Sequence, residues 1–120
     1  MQPADVVRTY GAAWNEPAEP TRRSLLERAW TDDGVYSDPL GRAEGREALV
    51  AHIATFHSTM PGHRIELTSA PDEHDGYLRF TWSMTDGEGT QLMEGIDFGE
   101  LGPDGRLRRI TGFFGAPPTI

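Results

Sequence analysis

Apolar positions recur at helical spacing through the first half of the chain and alternate through the second. Val6, Val7, Tyr10, Ala13 and Trp14 form one stripe of a helix over residues 3–15. Pro3 suits its first turn and Asp5 the positive end of its dipole. The run Asn15-Glu16-Pro17-Ala18-Glu19-Pro20 ends it, because two prolines cannot continue a helix. Thr21 then caps a second helix reaching about Trp30, with Leu25, Leu26, Ala29 and Trp30 on its apolar side. Residues 31–34 read as a turn, 35–38 as a short strand and 40–44 as loop, with Pro39 holding Asp38 extended. A third helix spans about 45–59, carries Leu49, Ile53, Phe56 and Met60 on one side, and stops at Pro61-Gly62. His52 and His57 flank that stripe.

From His63 the period becomes two. Residues 63–70 and 77–85 read as strands around a polar turn at 72–76, and Leu78, Phe80, Trp82 and Met84 share a face. Residues 91–114 read as a long hairpin about Gly102-Pro103-Asp104-Gly105. A turn closed on those four residues sets Asp97 against Ile110, Gly95 against Gly112 and Met93 against Phe114. A four-residue loop at 86–89 sets Trp82 against Met93 and Leu78 against Asp97. Both registers put Asp97 on the face of Leu78, Phe80, Trp82, Met93, Ile110 and Phe114. A carboxylate in such company must take up a proton or find a partner. Helices followed by a meander of strands predict an α+β fold. Gly95, Gly99 and Gly112 offer points where the sheet can bend.

Bulk properties narrow the choices. A chain of 120 residues predicts one domain over residues 1–120, long enough for a real core. There is no cysteine, which excludes thiol chemistry and cysteine-ligated metal. A net charge of −8 argues against nucleic acid and anionic membrane as partners. The basic run 106–109 reads as arginines covering a strand face. No apolar stretch approaches membrane-spanning length, so a soluble cytoplasmic protein is expected. The histidines and acids show no metal-ligand spacing, and neither metal nor cofactor is expected.

Three segments together resemble the bacterial ketosteroid isomerases. Val6-Val7-Arg8-Thr9-Tyr10-Gly11-Ala12-Ala13-Trp14-Asn15 is similar to their first helix. Asp32-Asp33-Gly34-Val35-Tyr36-Ser37-Asp38-Pro39-Leu40-Gly41 is similar to the segment carrying their general base. Gly95-Ile96-Asp97-Phe98, Asp104-Gly105-Arg106-Leu107 and Phe113-Phe114-Gly115 are similar to their closing hairpin. The resemblance implies a nuclear transport factor 2-like fold, a cone-shaped curved antiparallel sheet wrapped over three N-terminal helices. It implies cofactor-free proton transfer on an enolisable ketone, with Asp38 as base and Tyr10 and a protonated Asp97 as oxyanion donors. A carboxylic acid kept neutral by an apolar site is the known behaviour of those enzymes. Trp14, Tyr36, Phe56, Leu78, Phe80, Trp82, Met93, Ile110 and Phe114 would line a pocket for an apolar ketone or steroid-like ligand. The connections at 15–20 and 42–45 depart from the isomerase pattern, and both lie near the expected pocket mouth.

Other functions fit the same fold. A SnoaL-type polyketide cyclase or an epoxide-hydrolase-like enzyme would use a similar pocket, and a non-catalytic small-molecule-binding module would need no base. Each site residue also has a plain structural reading: Tyr10 as a core tyrosine, Asp38 as a turn residue, Asp97 paired with Arg79 or Arg108. Tyr77, Thr81, Leu92, Ile96 and Phe98 fall on the face opposite Asp97, which predicts a homodimer or helix packing there.

Overall fold

The computed structural model describes the whole chain, Met1–Ile120. Helix α1 covers Pro3–Trp14, with Pro3 in its first turn and a reciprocal Gln2–Asp5 capping pair at its start. Helix α2 covers Glu19–Ala29 with Ala18 as its cap, three residues earlier than a cap at Thr21 predicts. Pro20 lies in the first turn, where a missing N–H costs nothing. Arg22 is buried and donates from Nη1 to the carbonyls of Glu16 and Pro17, pinning the connection between the two helices.

Strand β1 covers Trp30–Asp38 and so takes in the stretch read as a turn. Trp30 is a strand residue, not the end of a helix; its carbonyl accepts from Nε and Nη2 of Arg46. The stretch read as loop is strand β2, Gly41–Glu44, hairpinned onto β1 with Asp38 opposite Gly41. Helix α3, Arg46–Thr59, follows. Then come β3 (Arg64–Leu67), β4 (Asp72–His74), β5 (Tyr77–Thr85), β6 (Gln91–Leu101) and β7 (Leu107–Phe114).

The sheet runs β2-β1-β7-β6-β5-β3, with β4 also on β5. It is mixed rather than wholly antiparallel, because β1 runs parallel to β7. Two strands also precede α3, so the helices are not all N-terminal to the sheet. Both predicted hairpin registers are off by two residues. Phe80 faces Asp97 and Trp82 faces Gly95 between β5 and β6, while Asp97 faces Gly112 and Gly95 faces Phe114 between β6 and β7. Irregularities at Met84/Thr85 and Glu100/Leu101 take up the extra residues. An even slip preserves the face, so Asp97 stays on the inner side of the sheet.

That inner side packs on the helices. Val6, Val7, Leu26, Leu49, Ile53, Leu107 and Ile110 are fully buried between them. The α+β expectation holds. No helix is long and apolar enough to cross a membrane.

Candidate functional site

At one end of this core the layers part. A cavity of about 460 Å³ opens between α1, α3 and the inner face of β1, β5, β6 and β7. Its walls are mostly apolar. The ionisable groups that reach it are Tyr10, Tyr36, Asp38, His52 and Asp97, with no lysine or arginine among them.

Asp97 sits mid-strand on β6 and is 7% exposed. Its Oδ1 accepts a hydrogen bond of 3.1 Å from the indole Nε1 of Trp82, while Oδ2 has no protein partner. The predicted alternatives, Arg79 and Arg108, pair instead with Asp72 and Glu100. Burial pushes the Asp97 carboxyl up to about 7; the Trp82 N–H works against that rise and the neighbouring Asp38 adds to it. Two glycines make this geometry possible. A Cβ on Gly112 would stand 2.8 Å from Asp97 Oδ1, and one on Gly95 would stand 2.3 Å from the Trp82 ring. These glycines make room for the side chains that face them, a role distinct from the bending expected of them.

Asp38 ends β1, two strands away on the same face. The point 2.8 Å from Asp97 Oδ1 is 3.5 Å from Asp38 Cβ, so the two acids flank Gly112. Asp38 Oδ1 accepts from the backbone N–H groups of Leu40 and Gly41 at 2.8 and 3.0 Å. Its Oδ2 accepts from the Tyr36 hydroxyl at 2.5 Å, a length proper to an O–H donor on a carboxylate. The two backbone donors use both lone pairs of Oδ1, and Oδ2 keeps one free. Burial drives the Tyr36 phenol well up, with Tyr10 and Asp38 reinforcing it, so it stays protonated.

Tyr10 is 2% exposed and stacks on Trp30, ring centroids 5.6 Å apart. Its hydroxyl is buried without a hydrogen bond; the Trp14 indole leans toward it but falls short of bonding geometry. Burial is the main cause of a phenol held well above its ordinary range, with Asp97 next. A buried donor without a partner is costly and rare in native proteins.

The structure therefore brings Tyr10, Asp38 and Asp97 to one cavity, together with Trp14, Tyr36, Phe56, Phe80, Trp82, Met93 and Phe114. Leu78 and Ile110, predicted as pocket wall, do not line it: they close over Gly99 in the core, 4% and 0% exposed. The two-residue slip moved Asp97 away from both. Sequence reasoning missed His52, Thr55 and Thr59, which with Phe56 bring the i, i+3, i+4, i+7 row of α3 to the cavity. His52 packs against Trp14 and Tyr36, centroids 5.9 and 5.2 Å away. The signal was that row itself, which polar residues disguised as a solvent flank. Leu40, Met60, Ile65, Leu67 and Met84 complete the apolar wall. No three His, Asp or Glu residues group to hold a metal ion.

Comparison with known proteins bears on the family and the fold. Residues 7–110 match the family model described as a SnoaL-like domain. The crystal structure of a SnoaL-like family protein from Agrobacterium tumefaciens C58, assigned provisionally as an isomerase, is 33% identical and superposes with a TM-score of 0.90 over 97% of this chain and 100% of that one. A cystatin-like-fold protein of unknown function from Methylobium petroleophilum is 18% identical, with a TM-score of 0.76 over 96% and 76% of the two chains. A protein from Sinorhizobium meliloti, assigned provisionally as a polyketide cyclase, is 16% identical, with a TM-score of 0.71 over 90% and 93%. No curated protein matches the chain.

Proposed function

The chain belongs to the SnoaL-like domain family, and on that premise we propose that it moves a proton on an enolisable ketone without a cofactor. The observation that carries this reading is the pair of acids flanking Gly112 in one apolar cavity. Their surroundings differ. Asp97 is buried with one unpartnered oxygen and a carboxyl raised to about 7, whereas Asp38 gathers three donors. Two acids in unlike environments suit an acid and a base. Asp38 would take the proton next to the carbonyl through the free lone pair of Oδ2 and return it at a second carbon. Negative charge then grows on the carbonyl oxygen, where the Asp97 carboxyl and the orphaned Tyr10 hydroxyl would donate. The closeness to a provisionally assigned isomerase supports this direction.

A β,γ-unsaturated 3-oxosteroid tests it, because isomerisation creates a conjugated enone that absorbs in the ultraviolet. The expected result is turnover that Asp38→Asn reduces by about 10²–10⁴-fold. Turnover that is equal in Asp38→Asn rejects Asp38 as base. A binding module is the second reading, favoured by the way the Leu40 and Gly41 N–H groups and Tyr36 already occupy Asp38. It expects apolar ketones to bind while deuterium exchange beside their carbonyl stays at the solvent rate.

The outer face of the sheet supports a homodimer. Tyr77, Leu92, Phe98 and Phe113 are all 43–52% exposed there, and Phe98 and Phe113 stack edge to face at 5.9 Å. A patch of this kind on a sheet is a candidate for cover by a second copy.

A further inference from the structure

We propose that Trp82 is a positioning residue for Asp97: its indole N–H assigns Oδ1 as the acceptor oxygen, leaves Oδ2 to carry the proton toward the ligand, and so fixes the pH above which the pocket loses its acid. The proposal rests on the proton-transfer reading for its catalytic consequence, although the geometry stands apart from it. An indole N–H can only donate. Oδ1, 3.1 Å from it, must therefore accept whether Asp97 is charged or neutral. A proton on neutral Asp97 then goes to Oδ2, the oxygen with no protein partner. The arrangement is built in. Trp82 faces Gly95 across the β5–β6 ladder, its ring occupies the space a side chain would need there, and the N–H reaches the next residue on that face. Gly112 leaves the room that Oδ1 fills on the other flank. Trp82 is itself 6% exposed, so water competes poorly for the bond.

The same bond sets a threshold. A carboxylate accepts more strongly than a neutral carboxyl, so the indole favours the charged form and opposes the effect of burial. The ionisable groups around Asp97 are few. Tyr10 comes from α1, Asp38 and Tyr36 from β1, and His52 from α3; β5 and β7 bring none to the cavity. Asp38 acts against ionisation of Asp97. Among these neighbours Trp82 is the one placed to keep the acid near neutral rather than locked in its protonated form.

The test is carboxyl-carbon NMR of the full chain labelled in aspartate, with the Asp97 signal identified by its loss in Asp97→Asn. In the wild type that signal should titrate near pH 7. In Trp82→Phe the midpoint should rise by about 1–2 pH units, the worth of a hydrogen bond to a charged group. Trp82→Gln, which restores a donor of similar reach, should bring it back down. Isomerase activity needs protonated Asp97, so its alkaline limb should move with the midpoint, an effect a merely structural role would not produce. An Asp97 midpoint that stays put or falls in Trp82→Phe overturns the proposal. Should that variant not fold, the wild-type Trp82 indole N–H resonance serves: it must shift with pH through the same midpoint as the Asp97 carboxyl, and its failure to do so is equally decisive. Midpoints that move as expected in a protein that isomerises no ketone support the role of Trp82 and reject the proton-transfer reading, which keeps the two failures apart.

Discussion

Asp97 is a residue whose own titration should be visible in the stability of the whole protein. Its carboxyl ionises near 7 in the fold, well above the ordinary aspartate value. The folded state therefore binds a proton that the unfolded chain has released between about pH 4 and 7, and stability falls across that window as pH rises. Below about pH 4 both states are protonated and the cost vanishes; above about pH 8 it is complete, on the order of 4 kcal/mol for a shift of this size. Asp97→Asn should remove most of it. Unfolding midpoints should favour the variant at pH 8 and converge in acid, and a variant less stable at pH 8 would mark Asp97 as a charge the fold needs. This residue was legible from strand alternation alone, because its face survives any slip by an even number. Its partner was not. Trp82 reaches it only through the observed pairing with Gly95 and the orientation of one indole, and neither is written in a local pattern. Tyr36 escaped notice as the donor to Asp38 for a related reason: residues two apart on a strand share a face, but whether a phenol bends back to its neighbour is a matter of packing.

Elements were legible where they were long and periodic. The cores of α1 and α3, and strands β5 to β7, follow the apolar pattern closely. The misread segments are 30–44 and 72–74, the latter read as part of a polar turn but paired as β4 on β5. Helix α2 passes into β1 at Trp30 with no glycine or proline between, so nothing local marks the change; burial of the Trp30 ring against Tyr10 decides it. Strand β2 has four residues and exists because the turn after Asp38 folds it back on β1. The connection between α1 and α2 carries a prediction of its own. Arg22 is 2% exposed and its bonds go to carbonyls, not to an acid. Arg22→Ala should orphan those carbonyls and open a cavity, lowering stability by about 2–4 kcal/mol in denaturant titrations. A loss below about 0.5 kcal/mol would show that the connection holds without it.

At the scale of the molecule the curved sheet has two different faces, one closed over the cavity and helices and one bearing Tyr77, Leu92, Phe98 and Phe113 in the open. The sequence pattern named most of that outer set but not Phe113, since the predicted hairpin was followed for its inner residues. If two copies meet there, placing a charge at its centre should part them: Phe98→Glu should sediment as a monomer at micromolar concentration where the wild type sediments as a dimer. A wild type that is itself a monomer under those conditions rejects the dimer. The variant should keep its pocket, as Phe98 points away from the cavity lining.

The parallel pairing of β1 with β7 has a consequence for how the protein comes into being. Trp30 meets Leu107, and Tyr36 meets Ile110, across more than half the chain. That is a long loop to close, and closure must precede any reward from the contact. On the ribosome, residues 1–101 can emerge and pair β1 with β2 and β5 with β6 while the other edge of β1 still lacks β7. The two acids come together only when β7 slots between β1 and β6, so assembly of the pocket waits for that strand, and no nascent form without it can carry a finished site.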